Sequence, residues 1–268
     1  MRKYLLHLAT GVLLVLGVAA IGAPFLAPYS SKQQFREFSH SPPAKIHLFS
    51  PEGWLPVRPF IYLIADGLSP GGSTQPVGAE VRGDRVALKF FVEGAPFKIL
   101  GVSFDTHLFG LEDPDRPVFI LGSDSLGRDL LSRILYGLRF SLLVGLLSII
   151  VTVLIGTLSG ALAGWRGGWV DRVIMRICDL FLSLPGLFLI LGIRAVFPLR
   201  MSPSNTLWMM VFIFAIFGWG VVTRVVRGQV LSLKQRDYVL AARAMGGSDS
   251  YIVVRHVLPF TSNYLKVQ

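Results

Sequence analysis

Acid–base, nucleophilic or metal chemistry in this 268-residue chain would have to come from sixteen carboxylates, five histidines and one cysteine. Their spacing supports none of it. His7, His40, His47, His107 and His256 stand apart and form no metal-ligand pair. No glycine-rich phosphate loop ending in Lys-Ser or Lys-Thr occurs. No convincing nucleophile–base set is found. The reading is therefore no catalytic residue, no metal and no cofactor held by the chain itself. Two charges, Asp179 and Arg194, fall inside an apolar stretch, where ionisable groups are functional candidates by default. The blander reading is favoured for both: Asp179 follows Arg176 by three residues, and Arg194 lies near the end of the stretch, where it can snorkel. The polar residues with informative spacing are elsewhere, in two glycine-punctuated segments, 121–142 and 237–259.

The elements that position those segments are apolar. Of all residues 52% are hydrophobic, more than a soluble domain of this size usually carries. Four runs read as membrane helices: residues 4–27, 140–163, 173–197 and 206–222. The first is read as an uncleaved anchor rather than a signal peptide, because it exceeds the usual signal core. Net charge is +10, and its placement matters more than its size. Residues 28–138 hold eleven Lys/Arg and twelve Asp/Glu; the remainder carries the excess of positive charge. Arg2 and Lys3 precede the first run, Arg166, Arg172 and Arg176 surround the link between the second and third, and Arg224, Arg227, Lys234 and Arg236 follow the fourth. The positive-inside rule then puts the N-terminus and these links in the cytoplasm and residues 28–138 outside. Clustering at the ends of apolar runs, rather than in one solvated patch, argues against nucleic-acid binding. Gly156, Gly160 and Gly164 recur every four residues on one face of the second run, a surface that lets another helix approach closely.

Outside the membrane, residues 28–120 read as a small mixed lobe. Val81, Val86, Leu88, Phe90 and Phe91 flank Gly83-Asp84, which predicts a hairpin over 80–92. Asp113 and Asp115 bracket Pro114 in a second turn. Residues 121–142 then read LGSDSLGRDLLSRILYGLRFSL. Leu126, Leu130, Leu131, Ile134, Leu135 and Leu138 recur at helical spacing. The spacing predicts an amphipathic helix lying along the outer membrane surface over 121–139, capped by Ser123 or Asp124, with Asp129 paired to Arg133 and the chain turning inward at Gly137.

Residues 237–259, DYVLAARAMGGSDSYIVVRHVLP, predict a helix over 237–245, a break at Gly246-Gly247, a second helix from about Tyr251 capped by Ser248 or Asp249, and an end or kink at Pro259. Such a compact knob, with small Ala241 and Ala242, suits insertion into a partner's groove.

These two segments carry a family resemblance. The spacing of Ala241-Ala242, Gly246 and Leu258-Pro259 resembles the Glu-Ala-Ala loop of binding-protein-dependent ABC importer permeases. Leu240 stands where that pattern has Glu, and His256 where it has Ile. Gly122, Asp124, Gly127, Arg128, Asp129, Ser132, Arg133, Tyr136 and Gly137 match the LGTD-x-LGRD-x-x-SR-x-x-YG signature of the dipeptide/oligopeptide/nickel branch, with Ser123 in place of Thr. The resemblance covers residues 121–259 closely.

It implies an all-α polytopic membrane protein with a six-helix importer core, of which four helices fall in this chain, and a mixed α/β extracytoplasmic insert. The implied division is an N-terminal helix (1–27), insert (28–120), outer-surface helix (121–139), three membrane helices (140–223), cytoplasmic coupling loop (224–260) and the start of a fifth helix (261–268). Ala241, Ala242, Gly246, Leu258 and Pro259 would then couple to an ATPase. The implied partners are a second permease, two ATPases carrying ATP and magnesium, and an external solute-binding protein, at a bacterial inner membrane. On this comparison the chain stops short of two helices, reads as C-terminally truncated, and is expected not to transport alone. Two other classes predict different features. A membrane-anchored sensor or enzyme would need pocket chemistry in 28–120. A secondary transporter would need paired acidic sites near the bilayer centre, of which Asp179 and Pro185 are the only hint.

Overall fold

The computed structural model describes residues 2–47, 59–64, 80–99, 101–111, 117–198 and 200–259. The chain forms two compact units, Met1–Leu142 and Leu143–Gln268.

In the first unit, helix α1 spans Arg2–Ile21 and ends at Gly22, and the short α2, Ala23–Leu26, restarts with Pro24 in its first turn. A three-stranded antiparallel sheet follows in the order β1 (Phe60–Ile64), β2 (Glu80–Ile99), β3 (Val102–Leu111). The predicted hairpin turn at Gly83-Asp84 does not form. Tyr62 pairs with Arg85 and Leu63 with Val81, so residues 82–84 bulge out of one continuous strand. A turn there would pair the two sides of 83–84 with each other; β1 takes both sides instead. The reversal comes between Ile99 and Val102, where Gly101 adopts φ +91°. The turn expected at Pro114 lies outside the described residues. Ile61, Leu88, Phe109, Leu111 and Val118 form the core of this unit, with Tyr29, Ala44 and Leu131 against it. His107 is buried, its Nδ1 2.7 Å from the carbonyl oxygen of Ala27 and its Nε2 3.1 Å from that of Ala95. One imidazole therefore ties the end of α2 to β2.

Helix α3, Leu130–Arg166, runs across the boundary between the units. The second unit continues through α4 (Gly168–Ser183), α5 (Gly186–Val196), α6 (Pro203–Leu233), α7 (Asp237–Ala244) and α8 (Asp249–Ile252), which passes into a π-helical turn, Val253–Val257. Among the described residues, three helices are long and apolar enough to cross a membrane: Tyr4–Ile21, Leu130–Arg166 and Pro203–Leu233. The third predicted span, 173–197, is two helices rather than one. Pro185 cannot donate to a preceding carbonyl and holds Leu184 in an extended conformation (ψ 135°), so α4 stops and α5 restarts with Pro185 as its N-cap. The predicted surface helix over 121–139 is likewise absent as a separate element. Residues 121–129 are loop, and 130–139 are the first turns of α3.

The packing of α3 on α6 organises the second unit. A Cβ added at Gly156 would lie 2.6 Å from Val222 Cβ, at Gly160 2.6 Å from the Thr223 carbonyl, and at Gly164 2.8 Å from Val230 Cβ. These are backbone-close contacts that a side chain would push apart. Gly218 on α6 meets Thr152 in the same way. Ser159 and Thr223 hydroxyls hydrogen-bond across the seam at 2.8 Å. Two ion pairs join α4 to α6: Asp171 with Arg227, at 2.5 Å, and Asp179 with Arg224. Asp179 thus pairs with Arg224 on α6 rather than with Arg176 on its own helix. Arg194 donates to the carbonyls of Phe197 and Pro198, closing the end of α5.

Gly160→Ala should loosen the α3–α6 seam by about 1–3 kcal/mol, since the neighbouring atom is backbone and cannot move aside alone. Gly145→Ala, with nothing within 4 Å, serves as control and should leave stability unchanged or slightly raised. Thermal melts of both variants in detergent measure the difference; equal melting temperatures would contradict the seam.

Candidate functional site: a helical knob and a glycine-locked loop

The knob is residues 237–257. Asp237 supplies an acidic first turn to α7, and Arg243 a basic last turn, both favourable to the helix dipole. The helix is stopped by a paired backbone motif. Gly246 N–H donates to the Arg243 carbonyl and Gly247 N–H to the Ala242 carbonyl, both at 3.0 Å. This is the Schellman arrangement, which needs a left-handed residue, and Gly246 has φ +82°. Gly247 has a second constraint: its Cβ would meet the Ala242 carbonyl at 2.8 Å. Ser248 caps α8, accepting from Tyr251 N–H at 3.3 Å, so the helix begins at Asp249, two residues before the expected start.

The two alanines divide the work. Ala242 is buried with Val239, Ile252 and Val257 against Val226, Val230, Ala161 and Trp165; Ala241 points outward. Ala242 is small because the knob packs tightly on itself. Leu258 packs at the edge of this core, and Pro259 is exposed. The outward surface is apolar at Leu240, Tyr251 and Val254, and Met245 is 83% exposed. Periodicity missed Trp165, which belongs to this core while standing seventy residues upstream. It directly follows Gly164, the last of three spaced glycines, but no local pattern marks it as part of the knob.

The loop is residues 117–129. Gly122 and Gly127 adopt φ +84° and +68°, and a Cβ at Gly127 would lie 1.9 Å from the Phe35 carbonyl oxygen. Residues 35–41 run alongside. Phe35 N–H donates to the Gly127 carbonyl at 3.0 Å, His40 N–H to Asp124 at 3.1 Å and Ser123 N–H to Ser41 at 2.9 Å. The Ser123 hydroxyl accepts from Ser41 N–H at 2.8 Å and donates to the Phe38 carbonyl. Asp124 is not a helix cap. Its carboxylate folds the loop, accepting from the amides of Leu126 (2.9 Å) and Arg128 (3.0 Å), and from both Arg128 and Arg133 side chains. The cap of α3 is Asp129, whose carboxylate accepts from Ser132 N–H at 2.7 Å. Arg133 consequently pairs with Asp124 at 2.5 Å, not with Asp129. Tyr29 completes the site: its amide donates to Ser132 Oγ and its hydroxyl accepts from Val118 N–H at 2.7 Å. Tyr136 and Gly137 fall inside α3, and Gly137 makes no turn.

The electrostatics follow the partners. Burial acts to raise the Asp124 carboxyl, but the amides of Arg128 and Leu126 and the Arg128 guanidinium outweigh it, bringing it from 3.8 to about 2. Burial pushes Asp129 upward despite its bonds from Ser132. Burial, with the charge of Asp129 adding to it, pushes the Tyr29 hydroxyl up to about 12. Among the described residues no cluster of three or more His, Cys, Asp or Glu side chains could hold a metal.

The architecture is that of an integral membrane protein segment, with long apolar helices joined by a glycine seam and a small helical knob packed at their ends. Residues 156–265 match the family described as binding-protein-dependent transport system inner membrane component. The chain is similar to the glutathione transport system permease protein GsiD of Pectobacterium atrosepticum, 46% identical over 139 residues, covering 52% of this chain and 44% of that protein. It is similar to the protein of the same name in Shigella flexneri (44% over 146 residues) and Escherichia coli O6:K15:H31 (41% over 146 residues), each covering 54% of this chain and 46% of the relative. Over residues 156–265 the chain is thus similar to inner membrane components of binding-protein-dependent transport systems. It spans less than half the length of these relatives.

Because the Asp124 carboxyl is lowered on folding, its contribution to stability is fully present above about pH 4 and lost as pH falls toward 2. Asp124→Asn should therefore melt below wild type at neutral pH, with the gap closing over that acid window. A pH series of thermal melts checks this; a gap independent of pH would place the stabilisation elsewhere.

Proposed function

We propose that this chain is a permease subunit of an ATP-driven importer, contributing helices to a translocation path for peptides or similar small solutes. Glutathione, a tripeptide named for the relatives, falls within that class. The observation that carries the reading is the knob at 237–257, fixed by its own core to the ends of α3 and α6, with an exposed apolar outer face. Residues 240–259 supply that face, and a separate ATPase fits it. Within the knob, Gly246 and Ala242 hold its shape, while Ala241, Leu240 and Met245 are available for contact.

The remaining parts take consistent roles in this reading. The N-terminus and the knob are cytoplasmic, and residues 28–129 face outward toward a solute-binding protein. A second permease packs beside this one, and ATP with magnesium binds the ATPase subunits, not this chain. Alternating access follows if closure of the ATPases displaces the knob and the packed helices carry that displacement. The apolar surface of α1, exposed from Tyr4 through Leu16, is left for lipid or the second permease.

Met245→Cys is the probe, because Met245 is exposed and Ala242 is not. With co-expressed ATPases carrying a cysteine in their permease-binding cleft, a crosslink whose yield changes with nucleotide is expected in membranes. Normal insertion with no crosslink under any nucleotide condition would sink the coupling assignment.

A further inference from the structure

We infer that Trp165 is the positioning residue that locks the 237–257 knob to helix α3, so that knob, α6 end and α3 end move as one body. The inference rests on the proposed function, and it concerns how the knob's displacement reaches the membrane helices.

Among the described elements, the knob is joined through the chain to α6, by residues 234–236. Its grip on α3 is non-covalent. Of the buried residues in the shared core, α3 contributes two, Ala161 and Trp165. Alanine supplies little surface; the indole supplies most of it, and an aromatic ring of this size dominates whatever core it enters. Trp165 is 6% exposed, packed among Val226 and Val230 of α6, Val239 and Ala242 of α7, and Ile252 of α8.

Two cations complete the lock, one from each side. Lys234, the C-cap of α6, donates from Nζ to the Trp165 carbonyl at 2.5 Å. That carbonyl is among the last four of α3, which have no partner within the helix, and a cation there also meets the negative end of the helix dipole. The same Nζ lies 5.4 Å from the centre of the Trp165 ring. From α7, the Arg243 guanidinium lies 5.1 Å from that ring. Both are within the range of cation–π attraction. One residue of α3 is therefore held by a hydrogen bond and two ring contacts that originate on α6 and on α7.

Removing Trp165 would also open a cavity, so the cations give the cleaner test. Lys234→Met keeps an apolar stem and deletes the hydrogen bond and ring contact; Lys234→Arg keeps a cationic donor. Arg243→Gln removes the other ring contact. Each variant is assayed in the assembled importer, in membrane vesicles, for nucleotide-sensitive crosslinking at Met245→Cys, ATP hydrolysis and solute uptake. For the Lys234→Met, Arg243→Gln double variant we expect the crosslink and hydrolysis to persist, while uptake per ATP falls about tenfold. Lys234→Arg should keep near-normal uptake. A purely structural role would lower crosslinking, hydrolysis and uptake together. That result, or an unchanged ratio of uptake to hydrolysis, would overturn the proposal. If the parent assembly itself shows no nucleotide-sensitive crosslink, the coupling assignment fails, and this inference with it.

Discussion

The second unit depends on one constraint, the close approach of α3 and α6 that three glycines permit. Were the helices held apart by side chains at 156, 160 and 164, Trp165 would not reach Val226 and Val230. The knob would then lose the floor on which Val239, Ala242 and Ile252 sit. The seam also sets polar registers along its length. Ser159 meets Thr223, and beyond it Arg224 and Arg227 reach across to α4. Hydrophobic burial drives little association inside a bilayer, so geometry at short range has to do it. Small residues on one helix and β-branched residues on the other, Val222, Val226 and Val230, give the fit.

The signature loop of the first unit rests on a different physics. Val118 and Phe119 are buried at its start, and the rest is held by backbone bonds to residues 35–41, with Asp124 folding the turn. Two glycines there answer two separate demands at once, a positive φ and a carbonyl lying where a Cβ would stand. Only a residue without a side chain meets both. This explains why a sequence run that looks amphipathic is a loop followed by a helix. The polar residues at 124, 128 and 133 face one another around the turn rather than water on one side of a helix.

What was legible in the sequence was what depends on local chemistry. The stop at Gly246-Gly247, the Ser248 cap and the apolar length of α3 and α6 follow from neighbouring residues alone. Two features that differ from the local reading depend on a distant partner. Gly83-Asp84 reads as a hairpin turn until β1 is known to pair with both sides of it. Asp129 reads as a surface ion-pair partner for Arg133 until burial shows it capping α3, freeing Arg133 for Asp124. The run at 173–197 was counted as one span on hydropathy, although Pro185 already marked the break. Nothing local could place Trp165 in the knob, because its contacts come from residues sixty to ninety positions later.

The same comparison bears on how motion could pass through such a protein. A loop that transmits force must be stiff within itself and firmly tied to what it moves. Stiffness here comes from the Schellman stop and the buried core, both set by the knob's own sequence. Attachment to α6 is covalent and short. Attachment to α3 rests on side-chain packing and two cations on one ring. A membrane-buried seam then holds α3 and α6 together above that point. On the proposed function the two links act in parallel: a displacement taken up by α7 and α8 would reach α3 directly through Trp165, and again through α6 and the glycine contacts.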